Sequence, residues 1–324
     1  MKTITDYLSR NQFVAALALI ALGLFLFQIK EILIIIFVSY ILMAAIHPAV
    51  GFLERRKWPR LLSISVIYLV IIAIILLLIV PIIPFFVSQI QNLIENFPFY
   101  FEKAAETLGI QIESSSINSS SAIQNIGNNL VSITSTVFGG IISFFTIIVI
   151  SFYLLVYHDR FEKLVVNMFH ENKREKARET FAQVENSLGN WVRGQLILSV
   201  SIGIISWIFL SVLGINYAFP LAFLAAILEV IPTIGPVLAS IPAIIVALTI
   251  SPTLAIVVTV GYIIIQALEN NILVPKIMQT AVGLNPIVII IAILVGGSLL
   301  GVWGALISIP FLSMLVIILT ALND

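Results

Sequence analysis

Between Gln195 and Asn323 the chain carries only three charged side chains, Glu229, Glu269 and Lys276. A stretch of 129 residues this poor in charge belongs in a lipid bilayer. Each of the three lies beside a helix breaker. Glu229 opens the run Glu229-Val-Ile-Pro232-Thr-Ile-Gly235-Pro236, and Glu269 and Lys276 flank Pro275. Unwound backbone in hydrocarbon leaves N–H and C=O groups unpaired at several kcal/mol each, so it must be wrapped by protein or line a water-filled cavity. A carboxylate at that depth is also costly, and function is its usual reason. Breakers and carboxylates together predict a polar pathway through a membrane protein.

Composition agrees. The chain is 60% hydrophobic and 10% charged, with mean hydropathy +1.15. Soluble domains carry roughly 25% charged residues, which excludes a water-soluble globular fold. Its 324 residues accommodate about eight spans of about 20 residues with two sizeable loops. The fold class expected is therefore an all-α polytopic membrane protein. There are no cysteines, so disulfides and thiolate metal sites are ruled out. Lys2 and Arg10 precede an apolar run from Phe13 to Phe27, but no small-residue cleavage site follows, which predicts an uncleaved first span.

Charge-free runs divide the chain. Residues 1–85 form an N-terminal unit of three spans, at about 11–29, 32–50 and 61–85. Residues 86–135 read as an extracytoplasmic amphipathic segment, with Phe86, Ile90, Leu93, Ile94 and Phe97 at helical spacing. A fourth span covers 136–157. Residues 158–194 are a charged helical segment containing Lys173-Arg174-Glu175-Lys176, predicted to lie in the cytoplasm. Residues 195–324 form a transport core, with further spans at about 195–213 and 252–273. Basic residues favour the cytoplasmic side. Placing both termini there puts Arg55, Arg56, Lys57, Arg60, Lys173, Arg174 and Arg193 inside and leaves only Lys30 and Lys103 outside.

Within the core the chain repeats itself. Gly214-Ile215-Asn216, Pro220 and Leu238-Ala239-Ser240-Ile241-Pro242 return as Gly283-Leu284-Asn285, Pro286 and Leu306-Ile307-Ser308-Ile309-Pro310. Breakers interrupt both copies: Pro232, Gly235 and Pro236 in one, Gly296, Gly297, Gly301 and Gly304 in the other. The arms 217–231 and 234–250 would each rise only about 22–26 Å as helix, short of a hydrocarbon core of about 30 Å. This predicts two broken, re-entrant hairpins, 217–250 and 284–321, related as an inverted repeat with the site at their interface. Two ordinary helical hairpins with chance similarity are the alternative.

Four stretches in this order resemble the autoinducer-2 exporter family, the PerM-type permeases. They are Val192-Arg193-Gly194-Gln195; Glu229 to Pro236 with Ile241-Pro242; Gln266-Ala-Leu-Glu269-Asn270-Asn271 with Pro275; and Asn285-Pro286 followed by the four glycines and Ile309-Pro310. The resemblance covers residues 190–311 in motifs and the earlier part in layout. It implies an inner-membrane, homo-oligomeric protein of about eight spans that exports a small molecule. Some members resemble exporters of a quorum-sensing signal, and others resemble sodium/proton exchangers.

The candidate pathway residues are Glu229, Pro232, Gly235, Pro236, Gln195, Gln266, Glu269, Asn270, Gly296, Gly297, Gly301 and Gly304. Glu229 could bind a proton, a cation or a polyhydroxylated solute; alternatively it satisfies free N–H groups at a broken helix end. Glu269, with Asn270 and Asn271, reads first as a water-facing cluster near Lys276, towards the cytoplasmic face. Gln195 and Gln266 could line a path or make interhelical hydrogen bonds worth about 0.6 kcal/mol. His47, His158 and His170 have no paired ligands at metal spacing, so structural roles are expected, with no metal and no cofactor. No phosphate-binding Gly-x4-Gly-Lys-Ser/Thr run occurs, which leaves transport coupled to an ion gradient or simply downhill. No His-Glu-x-x-His pair or Gly-x-Ser-x-Gly elbow points to an enzyme. The expected partners are the bilayer, a small polar solute with sodium or protons, and further copies of the chain, with no nucleic acid.

Overall fold

The computed structural model describes residues 12–77, 140, 142–231, 234–278 and 285–323. All regular structure among them is helical. The helices are α1 (Gln12–Gln28), α2 (Lys30–Arg55), α3 (Arg60–Leu77), α4 (Ile142–Val156), α5 (His158–Asn167), α6 (Arg174–Val212), α7 (Ala218–Leu228) and α8 (Ile234–Ile250). They continue as α9 (Pro252–Leu268), a π-helical turn (Glu269–Leu273), α10 (Val274–Ile277) and α11 (Pro286–Asn323). Local chemistry sets the ends where it can. Ser251 caps α9 by accepting a hydrogen bond from the Leu254 N–H at 3.1 Å, and Pro252 follows at the first helical position, where its missing N–H costs nothing.

Five of the described helices are long and apolar enough to cross a membrane, and six if the bent pair α4–α5 counts as one span. The protein is thus an all-α, multi-pass membrane protein. The expected amphipathic segment 86–135, the end of the third span and Pro232 lie outside the described residues. At 194/195 the expected change of character is one of side chains only. The backbone of α6 runs unbroken for 39 residues, from the charged stretch into the apolar one.

That long helix organises the rest. Its inner face packs Val184 and Leu188 against Ile41 and Ala44 of α2, and Trp191 against Ile293, Ala305 and Ile309 of α11. Leu210 joins Leu221, Val246, Val258 and Tyr262 from α7, α8 and α9. Its outer face leaves Leu196, Ile197, Val200 and Ile204 at least half exposed. In water such a surface would be a severe liability; in lipid it is solvated.

The two breaks close by backbone contact. In α11, Gly301 adopts φ 64°, ψ −146°, a conformation open essentially to glycine alone. Beyond it the chain folds back, so a Cβ at Gly296 would lie 2.9 Å from the Gly304 carbonyl carbon. Eight residues of straight helix would hold them about 12 Å apart. At the first break, a Cβ on Gly235 would lie 2.9 Å from the Glu229 nitrogen, so α8 starts against the end of α7. Nothing lies within 4 Å of a methyl group placed on Gly301. Gly301→Ala should therefore cost only its backbone strain, about 1–3 kcal/mol. A fall of several degrees in the melting temperature in detergent is the expected result, and an unchanged melt would contradict the tight turn.

Candidate functional site

Glu229 follows the last residue of α7, and its backbone is still helical, with its N–H bonded to the Ala225 carbonyl at 2.9 Å. This is the carbonyl end of the helix, where the dipole disfavours an anion. Its side chain is completely buried, and neither carboxylate oxygen receives a hydrogen bond from any described residue. Among the described residues, Glu229 thus satisfies no free N–H group at a helix end.

Glu269 corrects a second expectation. Instead of facing water near Lys276, it is only 2% exposed. Val258, Tyr262, Ile265 and Glu269 recur at helical spacing along the buried face of α9, so the carboxylate continues the face that packs inward, just where the π-helical turn Glu269–Leu273 begins. Asn270 and Asn271 are turned outward and exposed, and Asn271 merely bonds back to the Ala267 carbonyl at 2.8 Å. Lys276 is exposed, and no Lys or Arg among the described residues pairs with either carboxylate.

Folding brings the carboxyl groups of Glu229 and Glu269 near enough to repel each other when both are ionised, with no hydrogen bond to either Glu229 oxygen from a described residue. Gln266, one turn before Glu269, donates from Nε2 to Glu269 Oε2 at 3.1 Å. Gln195 donates from Nε2 to the Glu229 backbone carbonyl at 2.6 Å, capping the broken end of α7. Its own Oε1 is buried and unpaired. Two carboxylates held together away from water cannot both stay ionised without a cation or proton between them.

The polar surface continues along α6. Gln195, Ser199 and Ser206 stand at positions that share one helix face, with Ile202 between them. The hydroxyls of Ser199 and Ser206 are buried without a hydrogen-bond partner, as is the phenol of Tyr262, which lies beside Ser206 just outside bonding geometry. Serines in helices ordinarily bond back to a carbonyl one turn earlier, as Ser39 and Ser201 do here. Ser199 and Ser206 do not. Sequence reasoning missed Ser199, Ser206 and Tyr262; for the two serines, the four-residue and eleven-residue spacings from Gln195 were the available signal.

The glycines sort by role. Gly301 makes the turn, Gly296 and Gly304 make the contact between arms, and Gly297 faces Ala305 at an ordinary distance of 3.7 Å. Gly235 and the buried Pro236 close the first break beside Glu229. Among the described residues the carboxyl pair is almost wholly buried. A cavity of about 600 Å³ lies elsewhere, walled by apolar residues of α2, α5, α6 and α11 with Lys173 and Lys176, and includes neither carboxylate.

Residues 14–324 match the sequence model of the AI-2E family transporters. The chain is 28% identical to the putative transport protein YrrI of Bacillus subtilis (strain 168), over 86% of this chain and 82% of that one. It is 28% identical to the putative permease PerM of Escherichia coli (strain K12), over 66% of this chain and 62% of that one. It is also 23% identical to the AI-2 transport protein TqsA of Escherichia coli (strain K12), over 86% of this chain and 83% of that one.

Proposed function

Because the chain belongs to the AI-2E transporter family, we propose that it is a secondary transporter of the inner membrane that exports a small polar molecule by alternating access. Transport as such is the family's character, and the family gives no reason to look for an enzyme. The observation that carries the finer reading is the line of unpaired buried oxygens from Ser206 and Tyr262 through Ser199 and Gln195 to Glu229. Leaving each such group unpaired costs about 1–3 kcal/mol. A row of them along one helix face, starting beside the first helix break, is a ready-made set of hydrogen-bonding partners for a polyhydroxylated solute. The name of the relative TqsA supports a solute of the autoinducer-2 kind.

The burial of both carboxyl groups supports reading this conformation as an occluded one. Opening requires the broken helices α7–α8 and the two arms of α11 to move against α6, about the glycines that hold the breaks closed. The distribution of basic residues supports cytoplasmic termini. A homo-oligomer would cover part of the apolar outer surface. The carboxyl pair favours a second reading, exchange of a cation for protons, because Glu229 and Glu269 must hold a proton or a cation whenever they are enclosed together.

Flux into inverted vesicles separates these readings, with labelled autoinducer-2 in one arm and sodium with a pH-sensitive dye in the other. Polar-solute transport predicts autoinducer-2 accumulation that falls about tenfold in Ser199→Ala/Ser206→Ala, the loss of about 1.4 kcal/mol of solute hydrogen bonding. The same variant should melt no lower than the wild type, because the lost hydroxyls have no protein partners. Sodium-dependent proton movement without autoinducer-2 flux would replace the first reading by the second. No movement of either solute above empty vesicles would refute both.

A further inference from the structure

A second cluster of titratable side chains stands apart from the carboxyl pair, at the charged end of the bundle. His47 lies in α2 just before Pro48, His158 starts α5 where the chain bends by 72° from α4, and Glu185 lies in the charged half of α6. The sequence separates these residues by up to 138 positions, and the fold brings them together. His158 Nε2 is 2.8 Å from Glu185 Oε2, and His47 Nδ1 touches Glu185 Oε1. The two imidazole rings lie 4.4 Å apart, and the three ligating atoms fall within 4.8 Å of one another. His158 and Glu185 are buried, while the His47 side chain is 38% exposed.

The surroundings of His158 matter most. Its other nitrogen, Nδ1, faces Asp159 Oδ1 at 3.4 Å, and Arg60 holds Asp159 by donating to Oδ2 at 2.5 Å. Arg60 is itself fixed by a 3.2 Å bond to the Leu155 carbonyl. Each ring nitrogen of His158 thus faces a carboxylate, an arrangement that a protonated imidazole satisfies by donating to both and that a metal ion would satisfy by displacing the proton between Nε2 and Glu185.

We propose that His47, His158 and Glu185 form a binding site for a divalent transition metal of the zinc type, with Asp159 and Arg60 as its outer support. Two imidazoles and one carboxylate are a recurrent zinc ligand set, and the carboxylate–histidine–metal relay through Asp159 is the accompanying support. In a tetrahedral site with bonds of about 2.0–2.2 Å, ligating atoms stand about 3.3–3.5 Å apart. With the ligating atoms now within 4.8 Å of one another, rotation of the three side chains is what would bring them to that spacing. The exposed side of His47 supplies the entry path and a fourth position for water. A metal there ties α2, the α4–α5 bend and the charged half of α6 into one unit. The site is independent of the transport reading, since none of its ligands belongs to the pathway.

The test uses the full chain in detergent, purified with a tag free of histidine, stripped with chelator and titrated with Co²⁺. One equivalent should produce the intense visible d–d absorption of four-coordinate cobalt, and Zn²⁺ should abolish it. His158→Gln and Glu185→Gln should each remove the band, and Asp159→Asn should weaken cobalt binding by about 10- to 100-fold. His170→Ala should leave it intact, because His170 is exposed and outside the cluster. Zinc should also raise the melting temperature of the wild type, a readout that requires no variant to fold. Absence of the band in wild type, or a band that survives Glu185→Gln, overturns the proposal and leaves the three residues as an ion-paired network.

Discussion

Gly304→Val should unfold or grossly destabilise the second broken helix, whereas Gly297→Ala, seven residues away in the same glycine group, should be nearly silent. A Cβ at Gly304 would lie 2.7 Å from both the Gly296 carbonyl carbon and the Leu300 Cβ. The first of these is backbone and cannot step aside, so the two arms of α11 must separate. Separation also strips Ile293, Ala305 and Ile309 away from Trp191, the cluster that anchors α11 to α6. Overpacking typically costs about 1–3 kcal/mol, and the broken anchor adds to it. Gly297→Ala meets only the Ala305 Cβ at 3.7 Å and gains helix propensity, so its effect should stay within about 0.5–1 kcal/mol of zero or be stabilising. Thermal melting and gel-filtration profiles in detergent measure both. Equal behaviour of the two variants would mean that the arms are not in contact at Gly296 and Gly304.

The contrast among these glycines shows where sequence reasoning stopped. Four glycines in nine positions announce a break, but assigning turn, contact and bystander needs the third dimension. The all-helical, bilayer-embedded architecture was legible because hydropathy and charge act locally along the chain. The interruptions at Gly235 and Gly301 were legible because glycine and proline act locally too. Glu269 was misjudged because the neighbouring Asn270, Asn271 and Lys276 gave the segment a water-facing appearance, although Glu269 continues the helical spacing of Val258, Tyr262 and Ile265. Its pairing with Glu229 joins the ends of two helices and leaves no periodic trace. The His47–Glu185–His158 cluster was invisible for a similar reason: each member comes from a different helix, and no ligand spacing exists within any one of them.

Glu229→Gln and Glu269→Gln should each abolish coupled transport while leaving the protein as stable as the wild type or more so. A carboxylate retained for structure is paired, and losing it leaves its partner charge buried and uncompensated, at a cost of about 3–5 kcal/mol. Neither carboxylate has such a partner among the described residues; each has the other. Removing one charge relieves the repulsion and desolvation of the pair, so the expected change in stability is zero or positive, by about 1 kcal/mol or more. Function should move in the opposite direction. With a single carboxyl the site no longer needs a proton or cation to close, so the dependence of flux on the pH gradient should disappear, with the coupled rate falling by at least about tenfold, an energetic change of about 1.4 kcal/mol. If the pair serves only to hold a solute, downhill flux falls without any change in pH dependence, and Glu229→Asp restores part of it. Melting curves beside flux assays at two pH gradients decide. A large loss of stability in either variant would make the pair a structural element and remove it from the pathway. Stability gained where activity is lost is the mark of a site that holds its strain for function.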